Sequence, residues 1–144
     1  MRKLTLLKLL FTTALFLALL SIWLFDWSPS SAISAAPTAT EVDGVVVEVL
    51  MANAPALILK PNPLKIGLHR TDGQPVTNAE VDFELIMPSM FCGKVSGQAM
   101  PAALEPGTYT AEAIPLMAGV WSANITIKLE GSVIRVEHPF DAIR

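Results

Sequence analysis

The sequence contains a single cysteine, Cys92, so no disulfide can form within the chain. In an oxidising compartment a lone thiol is buried, paired with a second chain or bound to a metal. There are only two histidines, His69 and His138, far apart in the chain. So little imidazole and thiol does not supply the ligands that zinc requires. Basic residues are few and nowhere clustered, which argues against a nucleic-acid partner. No Ser–His–acid arrangement, glycine-rich phosphate loop or pair of catalytic carboxylates stands out, so the expected function is not enzymatic. No repeat or low-complexity tract occurs beyond residue 27.

What is present begins with a membrane or export signal. Arg2, Lys3 and Lys8 precede a run from Leu9 to Phe25 without a charge, 17 residues long. That is long for the apolar part of a cleaved signal peptide and just short of the roughly 20 residues of a membrane span. Trp23 and Trp27 bracket its far end, where indole rings favour the membrane–water interface. Residues 1–27 therefore read as a signal anchor or a signal peptide. The length of the run favours an anchor, whereas the small residues of Ser31–Pro37 offer a cleavage site near Ser34 or Ala35. No cysteine follows the run closely, which argues against a lipoprotein anchor. The positive end stays in the cytoplasm, so the rest of the chain is expected on the extracytoplasmic side, anchored through an N-terminal helix. Past Trp27 the chain holds seven basic and twelve acidic residues, a net charge of −5.

Residues 28–40, rich in Ser, Ala, Thr and Pro, read as a flexible tether. From residue 41 to 144 the hydrophobic period is two. Val45, Val47, Val49 and Met51 share one face, as do Leu64, Ile66 and Leu68, and Val81, Phe83, Leu85 and Met87. Tyr109, Ala111 and Ala113 alternate with Thr108, Thr110 and Glu112, and Trp121, Ala123, Ile125, Ile127 and Leu129 follow the same rule. Ile134, Val136 and His138 form the last series. Proline and glycine turn signals separate these runs. About seven short strands at this spacing predict an all-β fold, an antiparallel β-sandwich.

The acidic row Glu80, Asp82 and Glu84 is the wet side of a strand. Asn124-Ile125-Thr126 fits a glycosylation sequon but lies within a strand. His69 falls on a polar face, and His138 on an inward one, where packing at a strand end is the simpler role. Met51 and Met87 continue inward series and read as core.

The other sulfur atoms are differently placed. Met90 and Cys92 come after Pro88 has ended a strand, Met100 precedes Pro101, and Met117 lies between Pro115 and Gly119. A sandwich gathers strand ends at its rims, and soft thioether and thiolate donors together select Cu(I). The candidate metal ligands are Met90, Cys92, Met117 and Met100, with Cu(I) as cargo. The competing reading is that these methionines fill irregular gaps beneath loops or form an adaptable apolar surface for a metal-free assembly role.

The stretches Asp72–Met90, "DGQPVTNAEVDFELIMPSM", and Pro106–Ile127, "PGTYTAEAIPLMAGVWSANITI", resemble the YtkA-like domain, which is related to the FixH-like proteins. The shared pattern is a G-x-P-V-x-x-A-x-V hairpin, a strand ending in M-P-x-M, a P-G-x-Y strand entry and a P-x-M-x-G-x-W entry into the next strand. The resemblance runs from about Pro61 to Leu129. It implies an exported, membrane-associated Ig-like domain without enzyme activity, acting in copper handling or cytochrome oxidase assembly; the N-terminal anchor and the tether would let such a domain reach a membrane-protein acceptor. Met90 and Met117 match the family's methionines. Many members continue M-P-x-M with further Met, Gly or His, whereas this chain reads Phe91-Cys92-Gly93 and offers a thiolate instead.

Overall fold

The structure, a computed structural model, describes residues 36–90 and 93–144. The expected N-terminal helix with its apolar run, and Cys92, lie outside the described residues. Among the described residues no helix is long and apolar enough to cross a membrane.

The described chain forms nine strands: β1 (Thr38–Val42), β2 (Val45–Met51), β3 (Ala56–Leu57), β4 (Asn62–Arg70), β5 (Glu80–Ile86), β6 (Val95–Pro101), β7 (Thr108–Ala113), β8 (Gly119–Leu129) and β9 (Ser132–Ile143). They join in one sheet of order β1-β2-β4-β7-β6-β5-β8-β9-β3, curled into a half-barrel. All pairs are antiparallel except β3 with β9. The all-β expectation holds. The expected seven-stranded, wholly antiparallel sandwich is replaced by a nine-stranded mixed sheet whose two arms are joined through β6. That strand pairs with β5 over Val95–Ala99 and with β7 only at Met100 and Pro101.

Three strands carry no period-two signal, which is why the sequence did not announce them. β6 leaves only Ala99 buried, and β3 is two residues long. β1 is half-buried on one face, and it takes in Thr38–Thr40, which composition alone assigns to the tether.

Each predicted inward series points into one core. Val47, Val49, Leu64, Ile66, Leu68, Leu85, Ile125 and Ile127 are completely buried, and Trp121 and Tyr109 are nearly so. The sheet curls because both arms cover the same core, and its ends approach closely: Thr38 Oγ1 of β1 shares a 2.8 Å hydrogen bond with His138 Nδ1 of β9. His138 is fully buried, its Nε2 has no partner, and burial pushes its pKa down. It packs inward, as its series predicts, but not at a strand end, because β9 runs on through Pro139 to Ile143. Proline is tolerated there because β3 pairs with β9 only at Ala142 and Ile143, so no strand lies on the other side of β9 at Pro139.

Asn62 is the other buried polar side chain with a structural task. Its Oδ1 accepts hydrogen bonds from Leu57 N (2.8 Å) and Asn53 Nδ2 (3.1 Å). Its Nδ2 donates to the carbonyls of Leu57 (2.8 Å), Lys60 (2.8 Å) and Ala113 (3.1 Å). One amide thus shapes the connection from β2 to β4 and ties it to β7.

The registers define two rims. At one lie the start of β1, the β2–β4 connection, the β5–β6 connection, the β7–β8 connection and the end of β9. The turns after β1, β4, β6 and β8 lie at the other.

Candidate metal-binding rim

The turn Met87–Met90 closes with a 3.0 Å hydrogen bond from Met90 N to the Met87 carbonyl. Pro88 sits at the second position of this turn, where its fixed φ fits. Met87 is buried, as its series predicts, and Met90 is 43% exposed. The facing connection from β7 to β8 carries Met117, 38% exposed. Trp121 holds that connection: its ring is in the core, and its Nε1 donates to the Met117 carbonyl at 2.8 Å.

Gly119 has φ +138°, and a Cβ there would stand 3.0 Å from Met87 Cε. A side chain at 119 would therefore displace the methionine that begins the opposite turn. Leu116 Cδ1 reaches to 3.9 Å from where a Cβ on Gly93 would be. The M-P-x-M and P-x-M-x-G-x-W segments are thus neighbours at one rim. A shallow hollow lined by Ile86, Met87, Pro88, Met90, Gly93 and Lys94 opens beside them. Lys94 is paired with Glu84 at 2.8 Å, and that carboxylate raises its pKa.

Met100 is placed elsewhere. It pairs with Thr110 near the far end of β6 and is 62% exposed. It lies five steps along the strand from Val95, about 16 Å at the usual rise. Proximity to a proline in the sequence did not distinguish the two ends of β6. The rim thus carries Met90 and Met117 on neighbouring turns and leaves Met100 out, while Cys92 falls outside the described residues. Thioether donors suit a soft monovalent ion, and no carboxylate or imidazole competes on these two turns. Among the described residues no three His, Cys, Asp or Glu side chains cluster. His69, on β4, lies towards the opposite rim.

The remaining shared motifs have a purely structural role at that opposite rim. Tyr109 Oη donates to the Val76 carbonyl (3.2 Å) and accepts from Ala79 N (3.1 Å). This bond locks the P-G-x-Y entry to the G-x-P-V-x-x-A hairpin. Gly107 has φ +80°, and a Cβ there would stand 2.7 Å from the Leu68 carbonyl oxygen and 2.8 Å from Pro75 Cβ. The acidic row lies on the outer face, with Lys128 bridging Glu80 and Asp82.

Fold and rim together define a small all-β domain with two methionine-bearing turns at one end. The chain belongs to the YtkA-like family, whose profile matches residues 36–126. The match begins well before Pro61 and takes in β1 to β4. No curated protein sequence matches the chain. Among solved structures, FetP of uropathogenic E. coli strain F11, recombinantly expressed in the E. coli periplasm, is similar with a TM-score of 0.53 at 13% identity. The match covers 74% of this chain and 94% of FetP. An engineered protein is similar with a TM-score of 0.46 at 14% identity, over 77% of this chain and 21% of its own.

Proposed function

We propose that this chain is an exported, membrane-tethered domain that binds Cu(I) at its methionine rim and exchanges it with a membrane-bound acceptor, in copper handling or oxidase assembly. The observation that supports the reading is that Met90 and Met117 lie on neighbouring turns of one rim. These are the methionines of two family motifs, they sit on adjacent turns of one rim, and both remain more than a third exposed. A gap-filling methionine would be buried, as Met51 and Met87 are. Cys92, two residues beyond Met90, supplies a thiolate as third donor. An extracytoplasmic location follows from the positive N-terminus and the apolar run, and is in keeping with the likeness in fold to FetP, produced in the periplasm.

The test is a Cu(I) competition titration of the full chain in mild detergent, against a calibrated chelator under reducing conditions. Met90→Leu and Met117→Leu should each weaken binding by at least about tenfold, as loss of a ligand does. Cys92→Ser should do the same, and Met100→Leu should not. Unchanged affinity in the Met90 and Met117 variants removes the rim from the site. No binding by any form would favour the metal-free assembly module, for which the exposed Leu116 beside Met117 is the supporting observation.

A further inference from the structure

The sheet is open at the fork between β6 and β7. The Ala102 N–H donates to the Thr108 carbonyl at 2.8 Å, so by strand alternation Met100, Gln98 and Ser96 also turn their backbone groups to the β7 side. Pairing on that side stops at Met100, and among the described residues no strand pairs there with Val95–Ala99. Ser96, Gly97 and Gln98 are exposed, and a cleft lined by Pro63, Gln98, Met100, Thr110, Ala111 and Glu112 opens between the two strands. The N–H and C=O groups of Ser96 and Gln98 therefore face solvent from a regular strand.

The other edges are blunted. β9 carries Arg135, Glu137, Pro139 and Asp141, and β3 covers its end. β1 is short, carries Glu41 and is closed onto β9 through Thr38 and His138. Charges, proline and a covering strand are the usual defences of an edge. β6 has none of them over its open stretch: it holds no charged side chain, and its proline, Pro101, lies beyond Met100. On its inward face Phe83 lies so close over Gly97 that a Cβ there would stand 2.8 Å from the ring. The ring thus takes the side-chain space at position 97, and a strand laid alongside fits best with glycine opposite.

We infer that β6 is the interface of a homodimer, pairing antiparallel with β6 of a second copy about a two-fold axis at Gly97. In this register Ser96 lies opposite Gln98 of the second copy, and Gln98 opposite its Ser96. Each such pair exchanges two backbone hydrogen bonds, made by the groups now facing solvent. Gly97 meets Gly97 in a close, non-hydrogen-bonded pair, and the two Phe83 rings approach each other across the axis. Val95 lies opposite Ala99, and Lys94 opposite Met100, so no two charges of like sign are opposed. A foreign strand is selected by pockets for its alternate side chains, and position 97 offers none. Two copies with an excess of acids repel one another, and the uncharged edge is where they meet at least cost. The contact is small, so the dimer is a weak one that cross-linking traps. It does not depend on copper.

The experiment uses the full chain with Cys92→Ser in mild detergent. Protein with Ser96→Cys is mixed with protein with Gln98→Cys and oxidised with diamide. A mixture of Arg135→Cys and Glu137→Cys, with the same spacing on the edge of β9, is the reference. The 96–98 cross-link should form at least about tenfold faster than the 135–137 one, because hydrogen-bonded pairs stand about 5.5 Å apart between Cα atoms, within disulfide reach. Gln98→Pro removes an outward N–H that the fold does not use, and by symmetry it strikes both hydrogen-bonded pairs. At unchanged circular dichroism it should weaken the dimer seen by sedimentation at least about tenfold, and Ser96→Pro should do the same. Equal cross-linking rates at the two edges would overturn the proposal, the copies then meeting through their N-terminal segments. Absence of the 96–98 cross-link, or a dimer that either folded proline variant leaves intact, would overturn it as well.

Discussion

Replacing Asn62 with alanine should be among the most damaging single changes in this domain, and its cost follows from the bonds the amide makes. Asn62 is completely buried, so none of the groups it satisfies through its own position is readily recovered by water. Its oxygen receives the Leu57 amide, and its nitrogen serves the carbonyls of Leu57, Lys60 and Ala113. Two amide protons shared among three carbonyls make about two net hydrogen bonds, worth about 1 kcal/mol each. The Leu57 N–H left without its acceptor costs about a further 1–3 kcal/mol. Asn62→Ala should therefore destabilise the domain by about 3–5 kcal/mol, against a typical total of about 5–15 kcal/mol. Urea unfolding followed by far-UV circular dichroism measures this, with the midpoint shifted and the slope unchanged. Asn62→Asp keeps the acceptor for Leu57 but offers no donor to the three carbonyls, and should cost at least as much. A loss below about 1 kcal/mol for Asn62→Ala would refute the reasoning, since it would mean the connection finds other partners.

Two further outcomes are expected. Gly107→Ala should cost about 2–3 kcal/mol, because a methyl there meets the Leu68 carbonyl and Pro75 in a left-handed backbone, and thermal unfolding would show it. Acid should weaken the fold through His138, whose pKa is lowered by burial. The unfolded chain takes up that proton near pH 6.5 while the folded one resists it, so the stability contributed is present above about pH 6.5 and is lost as pH falls towards the folded pKa, by up to about 1.4 kcal/mol per unit. His138→Leu should remove this slope between pH 6.5 and 5, and identical slopes in both proteins would dismiss the role.

Legibility in the sequence followed burial. Strands β2, β4, β5, β7, β8 and β9 each have one face in the core, so alternation reveals them and even their inward residues. Strand β6 has almost no buried face, and β3 is too short to show a period, so neither could be read. Trp121 and Tyr109 were legible as core, but their polar atoms were not: the indole bond to the Met117 carbonyl and the phenol bond to Val76 explain the spacing of the family motifs, and both need the folded backbone. For the site, the turn chemistry around Met90 and Met117 was readable. Which rim each methionine joins depends on strand direction, and Met100 went to the wrong end because β6 was unseen. Lys60–Pro63 is one of the proline turn signals between the runs, and nothing in that signal shows that Asn62 carries the buried amide that organises one side of the rim.

The narrow attachment of β6 to β7 has a consequence for how the sheet comes apart. There the two arms are joined by Met100 with Thr110, Pro101 with Tyr109 and the 2.8 Å bond from Ala102 N to the Thr108 carbonyl, and Pro101 has no amide proton to contribute. By contrast, β8 is paired along its length, to β5 on one side and β9 on the other. Hydrogen exchange should therefore divide the molecule into two protected blocks, with β8 amides exchanging only through global opening. The β6–β7 seam should unfasten first, and the β5–β6 turn that carries Met90 can stay closed while it does, whereas the Met117 turn crosses from one arm to the other.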